Sequence, residues 1–282
     1  MRVLVTGACG QLGTELMGLL EGTPHEATGV DLPEVDLTDR DRTLGLVTSL
    51  APDTIIHAAA LTAVDACETE VELAHAVNCA ATRFVAQGAR TVGAHLVYLS
   101  TDYVFDGTKS SPYNEWDQPA PRSVYGVTKL GGEREVDPGW TIARTSWVCG
   151  AQGSNIVKTL LRLAGERETV EFVDDQRGHP TFARDLAGMV LKLAIERVPG
   201  TFHTTNLGAV SWYEFAREVF AAAGHDPDRV RPIATRDMDP PRPAPRPANS
   251  VLDNMAWRLS GFAPSRHHIE PLQELVRELT GA

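Results

Sequence analysis

Short apolar runs alternate with longer segments of helical periodicity through the first half of the chain. Val3–Val5, Ala27–Val30, Thr54–His57, Leu96–Leu99 and Thr141–Ala143 are short, apolar and bounded by turn residues, which predicts strands buried on both faces. Between them, Gln11–Glu21, Asp41–Leu50, Glu70–Val92 and Val124–Val136 carry apolar residues at mixed spacings of three and four, the pattern of helices packed on a sheet. Alternation of the two predicts βαβ units and an α/β fold built on a doubly wound parallel sheet. Beyond residue 150 the rhythm loosens, with helices expected over Ile156–Arg167, Asp185–Arg197 and Trp212–Ala223. The segment Asp239–Pro247 is dense in proline, so it can form neither a helix nor a central strand and reads as a stiff, extended loop. The expected division is a core over residues 1–150 and a smaller C-terminal lobe over 151–282, some segments of which return to the core.

Composition narrows the function classes more than the fold. A length of 282 residues with 43% hydrophobic and 22% charged residues is ordinary for a soluble globular protein. Twenty-six Lys and Arg against 37 Asp and Glu leave a net charge of -11, which argues against a nucleic-acid or anionic-membrane surface. Any anionic ligand must therefore meet local positive groups. Cys9, Cys67, Cys79 and Cys149 show no C-x-x-C spacing, so neither a zinc site nor a disulfide framework is expected and a reducing cytoplasm fits best. The glycine turn follows Met1–Val5 too soon for a signal peptide, and no apolar stretch approaches the ~20 residues that span a bilayer.

The candidate chemistry begins at the first strand-to-helix junction. Thr6-Gly7-Ala8-Cys9-Gly10-Gln11-Leu12-Gly13 differs in spacing from G-x-G-x-x-G but occupies the βα turn in which that fingerprint works. Glycines there permit a tight turn and close backbone approach, so a pyrophosphate can rest on the free N–H groups of the helix. A dinucleotide-binding core of Rossmann type follows. Asp31 ends the second strand, where a carboxylate can bond an adenosine ribose. With no Arg or Lys immediately after it, it should repel a 2′-phosphate, which leans toward NADH over NADPH. The small residues Ala58, Ala59 and Ala60 would let a cofactor lie against the sheet edge. Tyr125 and Lys129 stand four apart on a predicted helix, hence on one face. A neighbouring ammonium favours phenolate over phenol and so should pull the acidity constant of Tyr125 down from about 10. Thr101, at a strand tip, is placed to share a hydrogen bond with Tyr125 and a substrate oxygen.

Taken together, these segments resemble the extended short-chain dehydrogenase/reductases, and within them the dTDP-4-dehydrorhamnose reductase family. The resemblance is carried by the glycine turn and by Ala58–Asp65, Ser100–Gly107, Tyr125–Glu133, Arg144–Val148, Asp175–Thr181 and Arg246–Asp253, in that order along the chain. It implies a catalytic set of Thr101, Tyr125 and Lys129, with hydride passing from NADPH or NADH to the C4 ketone of a dTDP-4-keto-6-deoxysugar while the tyrosine protonates the oxygen. Lys129 would also hold the nicotinamide ribose. Gly7, Gly10, Gln11, Leu12, Gly13, Asp31, Asp36, Leu37, Ala58, Ala59, Ala60, Tyr125 and Lys129 would bind the cofactor. Asp102, Val104 and Trp147 would contact the sugar, and Arg246, a planar fork of donors, would meet the diphosphate. Some members hold a divalent metal, Mg2+, at a dimer interface through glutamates, and Glu15 matches one such position. Where a second carboxylate is wanted this chain has Arg184 before Asp185, which argues against a metal. Cys149 replaces an aromatic common in relatives. The implied product is dTDP-L-rhamnose. Related reductases of antibiotic sugars, such as dihydrostreptose synthase, and a non-catalytic regulatory subunit on the same scaffold share the pattern, and either a monomer or a homodimer is compatible with it.

Overall fold

A computed structural model describes residues 1–281. Its centre is a six-stranded, wholly parallel sheet formed by β1 (Arg2–Thr6), β2 (Glu26–Val30), β3 (Thr54–His57), β4 (His95–Thr101), β5 (Thr141–Thr145) and β6 (Gly200–His203). The spatial order is β6-β5-β4-β3-β1-β2, with Val3 opposite Thr54 and Thr101 opposite Thr145. From β1 the chain moves one way to β2, then crosses back to β3 and onward. A crevice therefore opens at the carboxyl ends of β1 and β3, where the direction of winding reverses.

Alternation along each strand explains the two helical layers. Val3, Val5, Ile56, Val97 and Leu99 face one side, packed under Leu12, Leu16 and Leu20 of the helix Gln11–Leu20 and Leu186 and Val190 of the helix Ala183–Glu196. Leu4, Ile55 and Leu96 face the other, under Val47 of the helix Arg40–Leu50 and Val85, Ala86 and Ala89 of the helix Ala81–Val92. Because both faces are covered, the inner strands need no polar alternation and read as continuous apolar runs, whereas β2, at the sheet edge, leaves Glu26, Thr28 and Gly29 exposed, so the burial expected for Ala27–Val30 does not hold.

The sheet draws on sequence beyond residue 150, since β6 and the helix Ala183–Glu196 belong to it. The remainder of the C-terminal half packs around Leu160, Phe215, Phe220, Val230 and Leu272. Segment Asp239–Pro247 contains neither helix nor strand. One expected element differs. The stretch Glu70–Val92 is helical from Val71 onward but holds a π-turn, Ala76–Ala80, between the α-helical parts Val71–His75 and Ala81–Val92. The extra residue in the turn places Asn78 inward, where its amide accepts from Leu61 N–H at 2.8 Å and donates to the Leu61 carbonyl and the Thr128 hydroxyl, each at 3.1 Å. A tertiary polar contact thus accompanies the π-turn at this point of the helix.

Candidate active site

A cavity of about 370 Å³ occupies the crevice at the reversal point. Gly7, Gly10, Gln11, Leu12 and Gly13 form one wall, Asp31, Asp36 and Leu37 a second, and Ala58, Ala59 and Ala60 a third, with Tyr125 and Lys129 closing the far end. Gly7 takes φ +71°, and a β-carbon there would meet Ala59 N at 2.7 Å; at Gly13 it would lie 2.0 Å from the Gly7 carbonyl oxygen. Only glycine allows this turn. Gly10 caps the helix without a side-chain bond, so the first N–H groups of Gln11–Leu20 remain available to a ligand. An extended dianionic linker with a sugar at each end suits such a cradle. Asp31 is fixed at its edge, accepting from Cys9 N–H and Leu32 N–H at 2.8 Å each.

Around the catalytic candidates the sheet supplies strand ends and one helix supplies a face. The helix Val124–Glu133 starts at Ser123, whose hydroxyl accepts from Gly126 N–H at 3.1 Å, and it buries both Tyr125 and Lys129. Gly126 lets it approach closely, since a β-carbon there would sit 2.2 Å from the Tyr103 carbonyl. The Tyr103 ring meets the Tyr125 ring edge-on, with centroids 5.5 Å apart. Lys129 Nζ lies 4.2 Å from the centre of the Tyr98 ring. At the tip of β4, Thr101 Oγ1 donates to Asp102 Oδ1 at 3.0 Å and accepts from Tyr103 N–H at 3.2 Å.

Burial, rather than the lysine, governs the acidities. It pushes Tyr125 above its ordinary value, opposed by the Thr101 hydroxyl, and it draws Lys129 down to about 7, opposed by Glu133. The expected lowering of the tyrosine is therefore reversed in the free protein, because desolvation penalises phenolate and ammonium alike. Burial also raises the carboxyl of Asp102 to about 6, opposed by the Ser250 and Thr101 hydroxyls.

Particular contacts fix several of the expected substrate residues. The Val104 side chain is fully buried against Phe105, Tyr113 and Leu252. Arg246 donates from Nη1 and Nη2 to the two carboxylate oxygens of Asp65, the second at 2.7 Å. This pair fastens the proline-rich loop to the segment after β3. Trp147, with φ 46°, stacks on Trp212 at 3.5 Å between centroids and packs on Gly178, where a β-carbon would approach its ring to 2.6 Å. A bulky residue in the left-handed region is strained, and this one lies at the end of β5, beside the catalytic strand tips. Glu15 is half-buried on its helix, its carboxyl raised by burial and acted on by Arg184 and Glu278. The cavity wall also includes Thr62, Ser100 and Thr145, which sequence reading did not single out. Ser100 and Thr145 are hydroxyl residues at strand ends, a signal available in the sequence once the strands are aligned.

Comparison with known proteins accords with this arrangement. A family model described as the RmlD substrate binding domain matches residues 1–280. A Streptomyces griseus protein named dTDP-4-dehydrorhamnose reductase is 43% identical, covering 99% of this chain and 94% of its own. A Streptomyces antibioticus protein named a probable dTDP-4,6-dihydroxy-2-methyloxan-3-one 4-ketoreductase is 39% identical, covering 100% and 97%. The crystal structure of dTDP-4-dehydrorhamnose reductase from Bacillus anthracis in complex with NADP superposes with a TM-score of 0.93 at 38% identity, covering 98% of this chain and 99% of that one. By its matched length, its relatives and its fold, this chain belongs to the dTDP-4-dehydrorhamnose reductase family of extended short-chain dehydrogenases/reductases.

Proposed function

We propose that this chain reduces the C4 ketone of a dTDP-4-keto-6-deoxysugar, converting dTDP-4-dehydro-L-rhamnose to dTDP-L-rhamnose with a dihydronicotinamide cofactor. The observation that carries the reading is the cavity at the winding reversal, with a glycine cradle at one end and Tyr125 and Lys129 at the other. When bound, the cofactor supplies the hydride. The chain's residues do the rest. The N–H groups that open Gln11–Leu20 receive the pyrophosphate, Asp31 the adenosine ribose and Lys129 the nicotinamide ribose. Tyr125 gives its proton to the oxygen that gains charge as the ketone is reduced, and Thr101 holds the phenol in place. Asp102 and the Trp147–Trp212 stack flank the strand tips as contacts for the sugar.

NADH is favoured by Asp31 and by Asp36, whose carboxyl is held low by hydrogen bonds from Thr38. Two carboxylates at the adenosine end disfavour a 2′-phosphate, and Arg42 near Asp36 is already paired with Asp39 at 3.5 Å. The relative solved with NADP makes paired kinetics with both cofactors the direct comparison. The ketoreductase named for the Streptomyces antibioticus relative favours one second reading, a related sugar of antibiotic biosynthesis, which the stereochemistry of the product, read by NMR, separates.

Tyr125→Phe is the test. It removes one oxygen from a packed ring, so cofactor affinity should persist while turnover falls about 10²–10⁴-fold, the worth of a positioned acid. A Phe variant turning over at the wild-type rate would eliminate Tyr125 as the proton donor.

A further inference from the structure

Beneath Lys129 lies a buried charge pair with no task in the reading above. Glu133 follows Lys129 by one helical turn, on the same face. Arg144, from β5, donates to both of its oxygens, Nε to Oε1 at 2.8 Å and Nη2 to Oε2 at 2.7 Å, and Ser100, from the end of β4, donates to Oε1 at 2.5 Å. Both charged side chains are 5% exposed, so water contributes little to holding them. Taking two charges out of water is expensive, and apolar residues of similar size would serve a purely structural contact as well or better.

The surroundings of Lys129 show what the carboxylate does. On its own helix stand Tyr125 and Glu133. From β4 come the Tyr98 ring beneath Nζ and Ser100, and burial keeps the Tyr98 phenol protonated. From β3 comes His57, which burial and the Lys129 charge hold neutral at about 3. Arg144 reaches this region from β5, with Nε and Nη2 committed to Glu133 and its buried Nη1 without a partner. Glu133 is thus the full negative charge that opposes the desolvation of the lysine.

We propose that Glu133, clamped by Arg144 and Ser100, is a positioning residue that keeps Lys129 an ammonium inside the buried site, so that it presents a positive charge and three donors to the cofactor ribose and to Tyr125. The inference rests on the role given to Lys129 above. Without Glu133, burial drives the lysine toward a neutral amine, and an unpaired Arg144 beside it pushes the same way. With Arg144 removed instead, the carboxylate is left to Lys129 alone and the ammonium is favoured further. A purely structural cross-link has no such sign.

The chain has four lysines, Lys109, Lys129, Lys158 and Lys192, so ¹³C-lysine labelling gives four side-chain signals, and Lys129→Met assigns the one of interest. Titrated from about pH 6 to 10, the Lys129 midpoint should fall by about one pH unit or more in Glu133→Gln and rise in Arg144→Met. In Glu133→Gln/Arg144→Met it should lie between wild type and Glu133→Gln. The other lysines serve as internal controls. NADH affinity of Glu133→Gln, read by dihydronicotinamide fluorescence, should match wild type near pH 6 and weaken about tenfold above pH 8. If Glu133→Gln fails to fold, the double variant, which leaves no unpaired charge, carries the test through a midpoint below wild type. A folded Glu133→Gln or double variant titrating at or above the wild-type midpoint would overturn the proposal, as would Arg144→Met moving in the same direction as Glu133→Gln. Because the titration needs no turnover, failure to reduce the ketosugar would refute the functional reading and leave this test standing.

Discussion

Replacing Asp102 by Asn should make the protein more stable and the enzyme slower. Asp102 is fully buried, and the Ser250 and Thr101 hydroxyls beside its carboxyl do not offset that burial. Burial raises its carboxyl from the ordinary 3.8 to about 6, so at neutral pH the folded protein carries a charge that the unfolded chain carries at no cost. That difference is on the order of 3 kcal/mol. Asn keeps an oxygen to accept from Thr101 and carries no charge, so on the order of 1–2 kcal/mol should be recovered. The sign follows from proton linkage. Between about pH 4 and 6 the folded protein binds the proton more readily than the unfolded chain, so wild-type stability falls as pH rises through that window. The advantage of Asp102→Asn is therefore complete above about pH 6 and gone below about pH 4. Urea unfolding of both proteins at pH 7.5 and at pH 4 measures it, while kcat/KM for the ketosugar should fall about 10–100-fold as a charged acceptor for the sugar is lost. A variant less stable than wild type at pH 7.5, or equally favoured at both pH values, would refute the reasoning.

The Asp65–Arg246 pair has the opposite pH signature. The Arg246 guanidinium holds the Asp65 carboxyl at about 2, so its contribution is complete above about pH 4 and lost as pH falls toward 2. Asp65→Asn should cost about 1–2 kcal/mol at pH 7, after allowance for solvent screening, and about half as much at pH 3 by urea unfolding, with NADH affinity unchanged. Gly13→Ala forces a β-carbon to within 2.0 Å of the Gly7 carbonyl and should weaken NADH binding at least about hundredfold in a fluorescence titration. Wild-type affinity in that variant would show that the glycine turn does not approach the cofactor.

What could be read from the sequence depended on how far apart the interacting residues lie. The glycine turn is a local pattern, and its residues line the cavity together with Ala58–Ala60 because strand order brings β1 and β3 side by side. Helical spacing likewise placed Tyr125 and Lys129 on one face. Arg246 was legible as a cation but not as a paired one, since Asp65 lies 181 residues away and nothing in either segment announces the other. The π-turn at Ala76–Ala80 includes the weak helix formers Val77, Asn78 and Cys79, and there the Asn78 amide makes contacts with two other segments. Propensity alone has no access to such a contact. Glu133 and Arg144 were both quoted within motifs, yet their pairing depends on β5 lying beside β4 under one helix face.

The acidities bear on the direction of the reaction. Spacing suggested that Lys129 lowers the acidity constant of Tyr125, as an enzyme abstracting a proton from an alcohol would require. Burial instead keeps the phenol protonated and leaves the lysine titrating near neutrality. For reduction this is the useful state. A donor must hold its proton until hydride transfer has placed charge on the ketone oxygen, and an alkoxide is more basic than a phenolate, so the transfer runs downhill even from a weakly acidic tyrosine. Once the phenolate forms, a neighbouring ammonium stabilises it, and Glu133 keeps that ammonium available at the end of the step. Lys129 then contributes by stabilising the phenolate that proton transfer produces, so loss of its charge should slow turnover and make the phenol a still weaker acid.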